Sequence, residues 1–236
     1  MRTDELIRDR LLARLDAPFR LTILEALTGA GRATLLRQWV AREETSQGRR
    51  VLIEFDPEQD GPGMHLVQTL MAVAQAGVPV DREALAALTR NRDRSRLREL
   101  ATAVLDPVTM PLTLVYPVWD QARQSLTEPE IATLFRDQPM LSVMVATVDG
   151  DAIATFAAAV GVAYQRLNED DLYFNRDEID ELLSARAAQE GLSIREGAVD
   201  NLLAASHGNP AVTMALLQER PQLCADGVAT RAQGVR

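Results

Sequence analysis

The stretch from Arg20 to Val40, RLTILEALTGAGRATLLRQWV, constrains the fold more than any other part of this chain. Leu21, Ile23 and Leu24 form a short apolar run, and a turn containing Gly29 and Gly31 then leads into Leu35, Leu36, Trp39 and Val40 at helical spacing. That order predicts strand, phosphate loop, helix. Glycines let backbone N–H groups close around a phosphate at the positive end of a helix, while a lysine neutralises its charge and a hydroxyl holds magnesium.

Against the pattern G-x-x-x-x-G-K-[ST], the segment reads Ala26, Leu27, Thr28, Gly29, Ala30, Gly31, Arg32, Ala33. Arg32 stands in the lysine position and Ala33 in the hydroxyl position. The sequence contains no lysine at all, so no shift of register recovers one. Arginine pairs with phosphate, but its flat fork does not fit where a compact ammonium is needed. Thr34 comes one position late, about 100° further round the helix. The expectation is a vestigial or weak nucleotide site formed by Gly29, Ala30, Gly31, Arg32, Ala33 and Thr34, with no catalytic residue.

The rest of the chain alternates strands with helices as far as residue 167. Expected strands cover Arg50–Phe55, Met110–Tyr116, Leu141–Ala146 and Val162–Leu167. Expected helices cover Thr3–Leu15, His65–Ala76, Arg82–Leu88, Ser95–Leu105, Glu128–Arg136 and Ala152–Val160. Such alternation implies a parallel sheet covered on both faces, with functional groups at the carboxyl ends of its strands. The predicted class is therefore α/β, a five-stranded parallel P-loop NTPase-like sheet flanked by helices. Beyond Asn168 the pattern is helical only, with Asn175 or Asp177 as a cap, Gly191 as a stop, and a sharp turn at His207–Pro210. The expected organisation is an α/β domain over residues 1–167, a helical, winged-helix-like lid over 168–220, and a flexible tail over 221–236.

At the end of the third strand a nucleotide hydrolase carries acids that hold magnesium and activate water. Here the strand runs into Pro117, Val118 and Trp119, and Asp120 is the first acid. Asp120 reaches the strand end only if the turn folds back; otherwise it starts the next helix. Val148, past the fourth strand, offers nothing polar to a γ-phosphate.

A formal charge of −9 argues against a large phosphate-binding surface and so against direct nucleic-acid binding. The basic run Arg90–Arg98 reads as a solvated face. Cys224 is the single cysteine and His65 and His207 the two histidines, which argues against a metal site. No apolar run is long enough to span a membrane and the N-terminus is charged, so a cytoplasmic location is expected.

Taken together, ILEALTGAGRATLLRQWV, RVLIEFDPEQDGPGMHLVQTLMAV, LTLVYPVWD, MLSVMVATVD, NEDDLYFNRDEIDELL and SHGNPAVTMALL resemble successive segments of the large signal-transducing ATPases of the STAND class, which include the maltose-activator-like, LuxR-tailed transcription regulators. The resemblance runs from about Arg10 to Leu217. It implies that His207 and Pro210 approach the adenine end of a nucleotide, and that the family's lysine, hydroxyl and paired acids are replaced by Arg32, Ala33, Pro117 and Val118. It further implies a non-hydrolysing regulatory or protein-interaction module in signalling or transcription control, with a protein partner or self-association. Two alternatives remain open: a switch that keeps weak ATP or ADP binding without hydrolysis, and a scaffold or dimerisation module using apolar residues such as Trp119 and Phe156.

Overall fold

The computed structural model describes residues 6–42, 48–55, 64–90, 94–122, 135, 137–191, 193–219 and 225–226. These form two compact units: a sheet unit of residues 11–27 and 32–168, and a helical unit that combines the chain up to Arg10, the loop Thr28–Gly31, and everything from Glu169 onward.

The sheet unit holds five parallel strands, β1 (Leu21–Glu25), β2 (Arg49–Leu52), β3 (Leu112–Tyr116), β4 (Leu141–Thr147) and β5 (Tyr164–Leu167), in the order β2-β3-β4-β1-β5. This is the expected P-loop NTPase-like sheet. In β1, β3 and β4 nearly every residue is buried, because helices cover both faces and leave no side for polar residues. The first connection carries the chain from β1 past β4 and β3 to β2, and later strands step back until β5 joins the far side of β1. β1 is therefore the point where the winding reverses, and in open sheets of this kind ligands bind outside the carboxyl ends of strands at that point.

The helices of this unit are α1 (Asp9–Leu15), α2 (Arg32–Ala41), α3 (Met64–Gln75), α4 (Arg82–Arg90), α5 (Arg94–Leu105), α6 (Trp119–Ala122) and α7 (Asp151–Ala159), with α1 starting two residues before the unit boundary. Leu66, Leu70 and Val73 of α3, Leu97, Ala101 and Val104 of α5, and Ala154 and Ala157 of α7 close over the strands. Of the helix expected over Thr3–Leu15, the described residues form Asp9–Leu15, Leu6 to Arg8 have no helical structure, and residues 3–5 lie outside the described residues. The expected helix over Glu128–Arg136 lies outside the described residues except for Phe135, which is buried. Asp16 does more than break α1. Its Oδ1 accepts from Trp39 Nε1 at 2.7 Å and Arg50 Nη2 at 3.1 Å, and the Arg50 guanidinium lies 3.7 Å from the centre of the Trp39 ring. The charge is thus paired and stacked, as a buried cation requires.

In the helical unit, α8 (Glu169–Leu172), α9 (Arg176–Glu190), α10 (Ala198–Ser206) and α11 (Pro210–Glu219) enclose Phe174, Ile179, Leu182, Leu183, Ala198, Leu202 and Leu217. Asn175 closes a capping box with Glu178, and Gly191 ends α9 at φ 65°, the left-handed conformation in which glycine carries no Cβ penalty. A short antiparallel pair joins β6 (Ser193–Ile194) to β7 (Ala225–Asp226), the latter inside the segment expected as a tail.

Candidate phosphate-loop site

In the helical unit the loop Thr28–Gly31 packs against the start of α11. Gly29 has φ 99° and Gly31 φ 79°, so both need glycine's freedom. The Ala211 N–H donates to the Gly29 carbonyl at 3.1 Å. A Cβ on Gly29 would stand 3.0 Å from Ala211 Cβ, and one on Gly31 would stand 3.7 Å from Pro210 and 3.9 Å from Arg8 Nη1. Ala30 is buried between them. Of the two residues assigned to the nucleotide by resemblance, Pro210 is buried against the loop itself, whereas His207 is exposed and ends α10 at φ 51°.

Arg8 is 5% exposed. Its Nε donates to Glu178 Oε1 at 3.2 Å, and its Nη2 to the Tyr173 carbonyl at 3.0 Å and Glu178 Oε2 at 3.3 Å. Its guanidinium carbon lies 4.7 Å from the centre of the Phe174 ring. Arg10 grips the same carboxylate, Nε to Oε1 at 3.0 Å and Nη2 to Oε2 at 2.9 Å, and also donates to the Asp171 carbonyl at 2.8 Å. Burial alone pushes the Glu178 carboxyl up, but donation from Arg10, Arg8 and the Asn175 N–H together holds it below its usual range. For Arg8, burial lowers the guanidinium despite the opposing pull of Glu178. Two arginines on one carboxylate were not anticipated from sequence; the only signal was their alternation in the segment Arg8-Asp9-Arg10.

In the sheet unit Arg32 and Ala33 open α2, both half-buried, and Thr34 is exposed. Past β3, Pro117 is buried and Val118 exposed before α6 begins at Trp119. The turn brings Asp120 back onto β4: its Oδ1 accepts from the Thr147 hydroxyl at 2.6 Å, and its Oδ2 from the Val148 N–H at 3.2 Å. Thr147 also takes part in β1's exit, its carbonyl accepting from Ala26 N at 3.2 Å. Trp119 is not available as a contact surface, being 5% exposed and edge-on to Tyr116 at 5.1 Å, and Phe156 packs partly buried against the same core. Tyr116 in turn stacks on Phe55 at 5.7 Å, with His65 edge-on to Phe55 at 4.3 Å. Burial pushes the Tyr116 phenol up to about 12, so it stays neutral beside Thr69. The end of β3 is an aromatic cluster.

Neither of the two positions the sequence singled out offers magnesium an unengaged side-chain oxygen. Magnesium demands near-octahedral oxygen ligands. Ala33 has no side-chain oxygen, and both oxygens of Asp120 already accept from the end of β4. No group of three or more His, Cys, Asp or Glu able to hold a metal occurs among the described residues.

No family model and no curated protein matches the sequence. Solved structures do. A Walker-type ATPase of Pyrococcus abyssi is similar with a TM-score of 0.62 at 12% identity, over 92% of this chain and 69% of that one. The ORC1 protein of Aeropyrum pernix, in complex with DNA, gives 0.54 at 17% identity over 91% and 59%. A signal transduction ATPase with numerous domains and a tetratricopeptide repeat sensor, from Pyrococcus horikoshii, gives 0.50 at 12% identity over 86% and 28%. At these identities the likeness is one of fold: the chain has the fold of P-loop ATPases, and it spans only part of each of these proteins. Among the described residues no helix is long and apolar enough to cross a membrane.

Proposed function

We propose that this chain is a regulatory module built on a P-loop ATPase fold that does not hydrolyse ATP and acts in cytoplasmic signalling or transcription control through a protein partner or a second copy of itself. The carrying observation is the commitment of Asp120. Phosphoryl transfer relies on positioning and electrostatics supplied by metal ligands and an acid near water. The first acid after β3 is held on Thr147 and Val148, and the loop supplies neither lysine nor hydroxyl. Direct contact with nucleic acid is not part of the reading, given the charge of −9. Purified chain with ATP and magnesium is expected to show background turnover; roughly one turnover per second, the low end of ordinary enzymes, overturns the proposal.

A second reading, retained ATP or ADP binding without hydrolysis, draws support from the positive φ of Gly29 and Gly31, which keeps the loop in a form whose N–H groups can receive phosphate. Calorimetric titration with ADP and ATP tests it, and no heat at millimolar nucleotide removes it.

A further inference from the structure

We infer that a second copy of this chain docks on the amino end of the sheet, through a row of apolar side chains at the starts of β3, β4, β1 and β5. That end is opposite the strand ends at which Asp120 and Val148 lie. The inference names the surface for the second copy in the reading above, and it rests on self-association, not on the absence of hydrolysis.

Four neighbouring strands each present one apolar side chain here. Met110 lies two residues before β3, Met140 immediately before β4, and Phe19 two residues before β1, while Tyr164 opens β5. Each is between 37% and 42% exposed, and their strands follow one another across the sheet in that order. Pairing holds them at one end: the Leu112 N–H donates to the Met140 carbonyl at 3.0 Å, the Val143 N–H donates to the Arg20 carbonyl at 2.8 Å, and Leu21 is level with Tyr164. Strands about 4.8 Å apart set the four positions along roughly 15 Å, so they make one patch, whereas scattered hydrophobes would need no explanation. Val160, in the turn before β5, is exposed beside them.

Backbone chemistry stiffens the row. Pro18, Pro111 and Pro139 stand next to Phe19, Met110 and Met140, and all three prolines are exposed. Proline fixes φ and has no N–H, so the chain ahead of these strands is rigid and carries no donor at those positions for docking to leave unpaired. Such a surface loses little freedom on association.

Charge decides the occupant. The chain carries −9, so two copies repel one another over most approaches. The row itself contains no charged residue. Arg20, between the starts of β1 and β4, is turned inward: half-buried, it donates to the Leu141, Phe135 and Gln138 carbonyls and lies 5.2 Å from the centre of the Phe135 ring. Methionine and aromatic residues at the centre, with charges kept to the rim, is the composition of homodimer interfaces. The rim also suits a two-fold axis. Asp106 and Asp137 are exposed beyond the β3 and β4 end of the row, and Arg14 is exposed beyond the β5 end, its carbonyl accepting from Gln165 Nε2 at 2.9 Å. Arg49, at the start of β2, turns its guanidinium to Gly77 beyond α3. An axis between Met140 and Phe19 reverses the row, setting Met110 against Tyr164 of the second copy, Met140 against Phe19 of the second copy, and acids at one end against arginine at the other.

The test is sedimentation equilibrium of the full chain over a range of concentrations, in the parent and in Met140→Glu, Phe19→Glu, Val148→Glu, Arg14→Glu, Asp137→Arg and the double variant of the last two. All these side chains are exposed, so each variant is expected to fold, with circular dichroism as the check. The parent is expected to be a dimer. Met140→Glu and Phe19→Glu are each expected to weaken it at least tenfold, while Val148→Glu, at the other end of the sheet, stays within threefold of the parent. Arg14→Glu and Asp137→Arg are each expected to weaken it several-fold, and the double variant to return toward the parent because opposite signs meet again. A dimer unchanged by Met140→Glu and Phe19→Glu overturns this face while leaving self-association standing. A double charge variant weaker than both single ones, or assembly beyond the dimer, overturns the two-fold arrangement. A parent that is monomeric at every concentration removes the face and self-association together, and leaves a different protein as the partner in the proposed function.

Discussion

The Thr147 hydroxyl donates to Asp120 Oδ1 at 2.6 Å, so the last residue of β4 and the first acid beyond β3 are bound to each other. The first acid past β3 is thus spent on joining two strand ends. Replacing Asp120 by Ala is expected to cost about 2 kcal/mol, since the buried Thr147 hydroxyl and the Val148 N–H lose an ionised acceptor. Thr147→Val is expected to cost about 1 kcal/mol, and the double variant less than the sum of the two, because both remove one interaction. Urea denaturation of the four proteins measures the coupling. Strict additivity, or any magnesium-dependent change in the melting of Asp120→Ala, contradicts a structural role for this acid.

Glu178 makes the helical unit sensitive to acid. Its folded carboxyl lies below the ordinary glutamate value of 4.5, because the donors on it outweigh the effect of burial. A lowered folded value means that its contribution to stability is complete above the ordinary value and is lost as pH falls through the folded one. Below pH 4.5 the parent is therefore expected to lose stability more steeply than Glu178→Gln. At neutral pH the variant is expected to be about 3 kcal/mol less stable, since two arginines, one of them 5% exposed, lose their carboxylate. Thermal unfolding of both proteins from pH 7 to pH 3 checks the two statements; parallel curves contradict the first.

How much of this was legible beforehand depends on whether the signal was local. The strands and the helices after them follow from short apolar runs and helical spacing, and Asn175 and Gly191 mark the ends of α9 by cap chemistry that acts within a few residues. The missing lysine and hydroxyl are equally local, being read at fixed positions after Gly31. Where Asp120 points was not, because the two-residue turn Pro117–Val118 and the start of α6 decide it and its partner lies on another strand, 27 residues on. The grip of Arg8 and Arg10 on Glu178 spans about 170 residues, and nothing in an amphipathic pattern over Thr3–Leu15 distinguishes arginines that face solvent from arginines that meet a distant carboxylate. Trp119 misled for a related reason: an aromatic residue beside Pro117 and Val118 looks like surface until Phe55, Tyr116 and Trp119 come together from separate segments.

The docking of Ala211 on Gly29 gives a direct test of the loop. Gly29→Ala suffers twice, from a φ of 99° and from a Cβ 3.0 Å from Ala211 Cβ, whereas Gly161→Ala suffers only from its φ of 69°, with nothing within 4 Å. Gly161→Ala is expected to cost about 1 kcal/mol, and Gly29→Ala at least 1 kcal/mol more, with faster amide exchange at Ala211, whose N–H donates to Gly29. Equal costs for the two substitutions, with exchange at Ala211 unchanged, would show that the loop and the start of α11 are not held together.

Giving the loop the lysine and hydroxyl of the phosphate-loop pattern is not expected by itself to raise hydrolysis. Arg32→Lys with Ala33→Ser returns the ammonium and the hydroxyl that the phosphate-loop pattern requires, and thermal shift by ATP with magnesium is expected to grow relative to the parent. Turnover is expected to stay at the parental level. Asp120 still accepts from Thr147 and Val148, and β3 still ends in a neutral Tyr116 among aromatic rings. Adding Val118→Asp places a carboxylate at a position 40% exposed to solvent, where it needs no buried partner, and a magnesium-dependent gain in turnover is expected only in the triple variant. A phosphate-release assay on parent, double and triple variants separates the contributions. If the double variant alone hydrolyses ATP at about one per second, the defect lies in the loop and the end of β3 is competent as it stands.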